Sequence, residues 1–166
     1  MLVRDGRVAR LAEGTLENLP IDVEVVDATK KIISPGFVDT HHQLWQTAFR
    51  TIAADTTFME YFIRCCQTGP AHGLFNPEDM YLSQMAATLG LIDCGTTLVL
   101  DHAHGTLSEA QIDACVRASF ESGLRMIYAH CIDIRGEETG ISFERSLSKF
   151  KSMMSDQRFI NENNHV

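Results

Sequence analysis

The sequence predicts an α/β fold in which the strands of one parallel sheet alternate with helices. Three largely apolar runs, 32–38, 96–101 and 124–131, of which the second is rich in β-branched residues, are separated by stretches with helical periodicity. Strands that alternate with helices in this way form a parallel sheet with right-handed crossovers. Each run ends in histidine or is followed closely by it, and the carboxyl ends of parallel strands lie along one edge of a sheet. The same pattern therefore predicts both the fold class and the place of a candidate site.

A hairpin and one further strand are predicted ahead of the first apolar run. Residues 2–10 contain Asp5-Gly6, a dipeptide that is the strongest short-range signal for a hairpin turn. The stretch from Asp22 to Val26 alternates polar and apolar side chains, which predicts a half-buried strand.

The first apolar run enters the sheet through Pro35 and Gly36. We expect this strand to extend from Ile32 to Thr40. Proline is acceptable only near the start of such a strand, because it cannot donate a hydrogen bond to its neighbour. Glycine allows the backbone to bend or to approach a neighbouring strand closely.

Capping signals predict where the first two helices begin. Thr57 and Glu60 have the spacing of a capping box, which predicts a helix from Phe58 to about Cys66. Asn76, followed by a proline and two acidic residues, predicts the start of the second helix. Gly95 predicts that this helix has ended before the second apolar run.

Two more helices are predicted after the second run. Ser108 and Gln111 form another capping box, and Gly123 marks the end of the helix that it opens. A fourth amphipathic helix follows the third run. Apolar spacing predicts the buried faces as Leu82, Met85, Leu89 and Ile92 in the second helix, Ile112, Cys115, Val116 and Phe120 in the third, and Phe143, Leu147, Phe150 and Met154 in the fourth.

Composition narrows the class of protein. The 166 residues include 14 basic and 22 acidic side chains, a net charge of −8, which argues against nonspecific binding to nucleic acid. No apolar run approaches the roughly 20 residues that span a bilayer, and the amino terminus lacks the apolar core of a secretory signal. The five scattered cysteines predict reduced thiols. We therefore expect a cytoplasmic protein with a small-molecule substrate, without a nucleic-acid or membrane partner.

Ionisable side chains follow all three predicted strands of the sheet. They are His41 and His42, His102 and His104, and His130 with Asp133. Neutral imidazole is the commonest metal ligand in proteins and carboxylates often complete such sites, so this convergence predicts a metal-assisted enzyme. A strand-end histidine can also be a hydrogen-bonded core group, an interpretation that stays open for His42 and His130. Asp101 either orients a histidine or caps backbone amides.

The stretch Pro35-Gly36-Phe37-Val38-Asp39-Thr40-His41, followed by Leu44-Trp45-Gln46, resembles the first barrel strand of the amidohydrolase superfamily. It is most similar to the branch that holds cytosine-deaminase-type and triazine chlorohydrolase enzymes. The similarity runs over roughly residues 2–134. It implies a partial (β/α)8 barrel of the TIM type preceded by part of a small β domain. The implied boundaries are 1–30 for the partial β domain, 31–158 for the first part of the barrel and 159–166 for a frayed tail.

The resemblance implies a metal-dependent hydrolase that acts on non-peptide carbon–nitrogen bonds of a small molecule, by deamination or by amide or ring hydrolysis. A zinc or iron ion would lower the pKa of a bound water. The family places two metal-binding histidines two residues apart on this strand; His41 matches the first position, and Gln43, a weaker ligand, occupies the second. Trp45, Gln46 and His104 are the residues expected to face the substrate. Spacing alone would favour His102 and His104 as a metal pair.

The length of the chain predicts that it holds only part of a barrel. A complete barrel takes about 250 residues, so this chain can hold about three of the β/α units and is expected to be an amino-terminal fragment. The catalytic acid and base of the family lie on later strands, so we expect the chain to be inactive alone. An open sheet edge also invites oligomerisation. The alternative is a non-catalytic, degenerate module that pairs with a full-length paralogue, and a third interpretation is a small α/β binding protein.

Overall fold

The computed structural model describes residues 1–65, 73–132 and 141–157. The chain forms two compact units, Met1–Pro35 and Gly36–Val166. The predicted tail, 159–166, and Asp133 lie outside the described residues. The elements are β1 (Leu2–Arg4), β2 (Arg7–Arg10), β3 (Phe37–His42), a 3₁₀ helix (Leu44–Phe49), α1 (Phe58–Cys65), α2 (Pro77–Asp93), β4 (Thr96–Ala103), α3 (Glu109–Ser122), β5 (Met126–His130) and α4 (Phe143–Met154).

The first unit contains the predicted hairpin. β1 and β2 pair antiparallel across a turn in which Asp5 has φ +51° and Gly6 has φ +69°. Two positive φ angles are what a type I′ turn requires, which explains the Asp-Gly pair. The strand predicted from Asp22 to Val26 is wrong: these residues form no strand and Val25 and Val26 are exposed. Alternation stabilises a strand only where a neighbour pairs with it, and no described residue pairs with this stretch.

The second unit is built on a three-stranded parallel sheet in the order β3-β4-β5. This confirms the parallel sheet and the alternation of strands with helices. Val99, Asp101 and Ala103 are buried along β4, and the residues between them are partly exposed. The carboxyl ends of the strands lie at one edge, with His42 paired to Asp101 and Ala103 paired to His130.

The first strand of this sheet begins later than predicted, at Phe37 instead of Ile32. Pro35 has no N–H to offer a neighbour, whereas the Phe37 N–H donates a hydrogen bond to the Gly95 carbonyl, just before β4, at 2.9 Å. Gly36 passes so close to β4 that an added Cβ would lie 2.1 Å from Thr97 Cγ2. The expected close approach at this glycine is therefore confirmed.

Local capping signals are accurate for α1 and α2. Thr57 and Glu60 exchange the bonds of a capping box ahead of α1. The Asn76 side chain accepts hydrogen bonds from the next turn of α2, and the Asp79 carboxylate accepts from the Asn76 N–H at 3.0 Å. Gly95, with φ +86°, follows the end of α2.

The buried face of α2 is not the predicted one. Leu82 and Leu89 are 56% and 53% exposed, and the face that packs inward consists of Met80, Ser83, Gln84, Ala87 and Thr88. Both faces carry apolar residues, so spacing alone could not choose between them. The polar members of the buried face have partners: Gln84 bonds to Asp101, and the Thr88 hydroxyl donates to carbonyls of its own helix.

The later helices match their predictions in part. Ile112, Cys115 and Val116 are buried on α3 as expected, whereas Phe143 and Met154 at the ends of α4 are exposed. α2 packs against α3, β4 and the 3₁₀ helix. Among the described residues, no helix is long and apolar enough to cross a membrane.

Replacing Gly36 with alanine should destabilise the chain, because the new methyl group would overlap Thr97. Overpacking of this kind costs about 1–3 kcal/mol. Gly90→Ala is the matched control: no atom lies within 4 Å of the added Cβ, and alanine in a helix interior should add about 0.5–1 kcal/mol of stability. Urea unfolding of both variants measures the difference. Equal stabilities for Gly36→Ala and the unmodified chain would contradict the close approach.

Candidate active site at the carboxyl edge of the sheet

Three histidine rings form a stack at the carboxyl ends of β3 and β4. The His41 and His102 rings lie 5.4 Å apart at 24°, and the His102 and His104 rings lie 5.2 Å apart at 23°. We call His41, His102 and His104 the histidine stack. It brings together one predicted metal position and one predicted substrate residue. Parallel pairing places the two strand ends side by side, which is why residues about 60 positions apart meet here.

His104 is a half-buried member of the stack. Its Nδ1 lies 3.1 Å from the His102 carbonyl oxygen. Burial lowers its pKa, the bond with the His102 carbonyl opposes that effect, and the neighbouring rings of His102 and His41 lower the pKa further. His104 is therefore neutral near pH 7. Because a carbonyl only accepts, Nδ1 carries the hydrogen and Nε2 presents a lone pair.

His42 does not join the stack. Its Nδ1 lies 2.8 Å from the Asp39 Oδ2, and its presence lowers the pKa of the buried Asp101 carboxyl. The hydrogen-bonded interpretation of this histidine is therefore the one that the structure supports. The sequence did not predict Asp39 as a partner of His42, although the spacing of three residues between them is compatible with such a bond.

His130, at the end of β5, belongs to a contact with α4. Its Nε2 lies 3.0 Å from the Ser146 Oγ, and its ring is parallel to that of Phe150 at 6.1 Å. Burial lowers its pKa, opposed in part by the interaction with Ser146. This geometry supports a hydrogen-bonded core histidine.

The described residues do not fit a zinc or iron ion. Gln43 Nε2 lies 3.4 Å from His41 Nε2, and stacked imidazoles direct their nitrogen lone pairs along parallel planes instead of toward one point. Zinc requires ligand nitrogens at about 2.0–2.1 Å in a tetrahedral arrangement. No group of three or more histidine, cysteine, aspartate or glutamate side chains in the described part of the chain could hold a metal. The metal role of His41 stays a prediction.

Trp45 connects the stack to the core. It is 1% exposed, and its ring lies edge-on to Phe49 and Phe75, at 5.5 and 5.8 Å. Its ring centroid is 5.6 Å from that of His104. Trp45 is thus a core residue with one side against the stack.

Gln46 joins the 3₁₀ helix to α1. Its Oε1 accepts a hydrogen bond from the Tyr61 hydroxyl at 2.9 Å, and its Nε2 donates to the Cys65 carbonyl at 3.4 Å. Both ends of the amide are engaged within the protein. The substrate role of Gln46 stays a prediction.

Asp101 precedes His102 on β4 and is fully buried, at 0% exposure. Its Oδ1 accepts from the Leu44 N–H at 3.1 Å, and its Oδ2 accepts from the Gln84 Nε2 at 2.7 Å. Burial raises the pKa of the carboxyl to about 6, and the two hydrogen bonds and His42 oppose that rise. Of the two roles left open by the sequence, capping a backbone amide is the one that the structure supports.

The raised pKa of Asp101 makes a prediction for stability. The pKa of this carboxyl is about 4 in the unfolded chain and about 6 in the folded chain, so between these pH values the folded chain holds a proton that the unfolded chain has lost. Proton binding therefore stabilises the folded chain fully below about pH 4, and this stabilisation is lost as the pH rises to about 6. The loss is on the order of 3 kcal/mol. Asp101→Asn cannot titrate. The free energy of unfolding of the unmodified chain, minus that of the variant, should therefore fall between about pH 4 and pH 7.

Urea titrations of both proteins across that pH range measure this difference. Other carboxylates contribute equally to both proteins and cancel in the subtraction. A difference that stays constant with pH would contradict the assignment of a buried, titrating carboxyl.

Comparison with known proteins shows that the sequence of this chain is similar to those of several deaminases. The chain is 30% identical over 141 residues to the 5'-deoxyadenosine deaminase of Methanosarcina acetivorans, covering 84% of this chain and 30% of that protein. It is 31% identical over 102 residues to the 5-methylthioadenosine/S-adenosylhomocysteine deaminase of Desulforudis audaxviator, covering 61% and 22%. The enzyme of the same name from Caldicellulosiruptor saccharolyticus is 22% identical over 157 residues, covering 93% and 33%.

The match thus covers between 22% and 33% of the length of these curated relatives. No family model matches it. No solved structure matches it.

Proposed function

We propose that this chain, which belongs to the amidohydrolase superfamily together with the deaminases that it resembles, forms the base-binding wall of a hydrolytic nucleoside deaminase. The reaction class is hydrolysis of a carbon–nitrogen bond, and the substrate class is an adenosine-type nucleoside. The single observation that carries the proposal is the histidine stack, with Trp45 beside it, at the ends of two parallel strands. The names of the relatives support the reaction class.

The stack suits a planar, nitrogen-rich base. The stack of three near-parallel imidazole rings ends in the exposed ring of His41, whose outer side offers an aromatic surface. Aromatic pairs contribute about 0.5–1.5 kcal/mol beyond their buried area. Neutral His104 can accept a hydrogen bond at Nε2 from an exocyclic amine or a ring N–H. His41, the outermost ring, is exposed. Together these groups bind and orient a base.

Deamination adds water to the carbon that bears the amine and releases ammonia. The described residues form no metal cluster that would activate such a water. We therefore propose that the chain alone binds a nucleoside without turning it over. In this proposal the three parallel strands are consecutive strands of a partial (β/α)8 barrel, residues 31–158, and the partly exposed sheet face is the inner wall.

Binding without turnover is testable with 5′-deoxyadenosine, measured by calorimetric titration of the full chain and by chromatography for the deaminated product. His104→Ala should weaken binding about fivefold, because it removes the Nε2 acceptor, and one hydrogen bond contributes about 1 kcal/mol. His42→Ala is the control, since His42 bonds to Asp39 outside the stack. It should leave the dissociation constant unchanged.

Two results would contradict this proposal. Equal weakening by His42→Ala and His104→Ala would mean that the stack does not bind the base. Formation of product that disappears in His41→Ala would mean that the chain is catalytically complete.

A second candidate function is a non-catalytic module that pairs with a full-length paralogue. The observation that favours it is the exposed apolar surface of β3 and β5, where Phe37 and Val38 are 63% and 59% exposed and Ile127 is also exposed. Exposed apolar surface of this kind marks sites of protein association. A stable complex with a full-length deaminase in light scattering, unaffected by His41→Ala, would favour this function. A monodisperse monomer in the same mixture would contradict it.

A further inference from the structure

We infer that Asp101 is a positioning residue: it anchors the start of the 3₁₀ helix to β4 and thereby sets Trp45 against His104. Asp101 directly precedes His102 on β4, and its side-chain hydrogen bonds go to Leu44 and Gln84 and not to a ring of the stack. It acts through the backbone of Leu44, the residue before Trp45. The inference rests on the proposed function only for the claim that the stack binds a base.

The 3₁₀ helix depends on a distant residue for its amino-terminal cap. The first N–H groups of a helix lack partners within it and are usually satisfied by a nearby side chain. Gln43 occupies the capping position, but its side chain makes no capping bond to a described residue. The Leu44 N–H donates instead to Asp101, which is 57 residues away in the sequence. A local cap would leave the helix free of the sheet, whereas this one fixes it to β4.

The sheet itself does not hold this segment in register. The pairing of β3 with β4 is regular from Val38 to Asp39 and then shifts before His42. The hydrogen bonds between β3 and β4 therefore constrain the backbone less where β3 leads into the 3₁₀ helix. The hydrogen bond from the Leu44 N–H to Asp101 lies directly after this irregularity. It holds the backbone at Leu44, which the pairing of β3 with β4 does not.

The Asp101 carboxyl is itself held rigidly. Gln84 Nε2 donates to Asp101 Oδ2 at 2.7 Å and lies 3.1 Å from the Ser119 Oγ. The Ser119 hydroxyl donates to the Cys115 carbonyl at 2.8 Å. A continuous series of hydrogen bonds thus runs from α3 through α2 and β4 to the 3₁₀ helix. Because Gln84 holds the buried Asp101 carboxylate in one orientation, the carboxylate can in turn fix the position of the Leu44 N–H.

Asparagine at position 101 should preserve the arrangement. Its carbonyl oxygen can still accept from the Leu44 N–H, and its NH₂ group needs an acceptor. Gln84 Oε1 has no hydrogen-bond partner among the described residues. A rotation of the Gln84 amide would present that oxygen to the new donor. Alanine offers neither interaction and leaves the Leu44 N–H buried without an acceptor.

Trp45 is the only tryptophan in the chain, so its fluorescence reports its own position. Asp101→Ala should shift its emission to the red and increase quenching by acrylamide several-fold. Asp101→Asn should restore the emission and quenching of the unmodified chain. Ser146→Ala, which removes a buried hydroxyl from α4, is the control that should leave both signals unchanged. Far-UV circular dichroism monitors folding of every variant.

The inference is overturned if Asp101→Ala keeps the emission of the unmodified chain, or if Asp101→Asn behaves like alanine. Should Asp101→Ala lose its far-UV signal, Gln84→Met removes the bond that orients the carboxyl and keeps the side-chain volume. A smaller red shift in that folded variant supports the inference, and no shift overturns it. None of these signals depends on nucleoside, so the positioning role and the proposed function fail separately.

Discussion

The parallel pairing of β3 with β4 is the constraint on which the candidate site depends. It brings the carboxyl ends of two strands together and lets His41 stack on His102, although the intervening chain includes the 3₁₀ helix, α1 and α2. The close approach of Gly36 to Thr97 permits this pairing at the start of β3. The bond from Leu44 to Asp101 secures it beyond the end. The site is thus fixed at both ends of a single strand pair.

Features encoded by neighbouring residues were predictable from the sequence. The Asp5-Gly6 turn and the Asn76 cap depend on bonds within a few residues, so their signals are local and their positions were correct. The buried face of α2 was not predictable, because Leu82 and Gln84 lie on different faces and only tertiary contacts decide which is buried. Asp101 supplies that contact, 17 residues from Gln84. Hydrophobic periodicity within a helix does not predict a bond to a residue outside that helix.

The place of the candidate site in the fold was predictable, but the arrangement of its side chains was not. Histidines at strand ends predicted that these side chains would meet at the carboxyl edge of the sheet, where His41, His102 and His104 do lie together. Whether their nitrogens converge on an ion or their rings stack depends on side-chain directions, which the sequence does not specify. The structure has His41, His102 and His104 stacked, with His42 bonded to Asp39. An aromatic surface for a base is the chemistry that this arrangement favours.

Calorimetric titration of 5′-deoxyadenosine into the full chain after exhaustive treatment with a metal chelator tests the central claim most directly. If stacked imidazole rings bind the base, as we propose, the dissociation constant should be the same before and after metal removal. Loss of binding on chelation, with recovery when zinc or iron is restored, would contradict the claim. It would mean that the histidine nitrogens serve an ion and that the stack is not the binding surface.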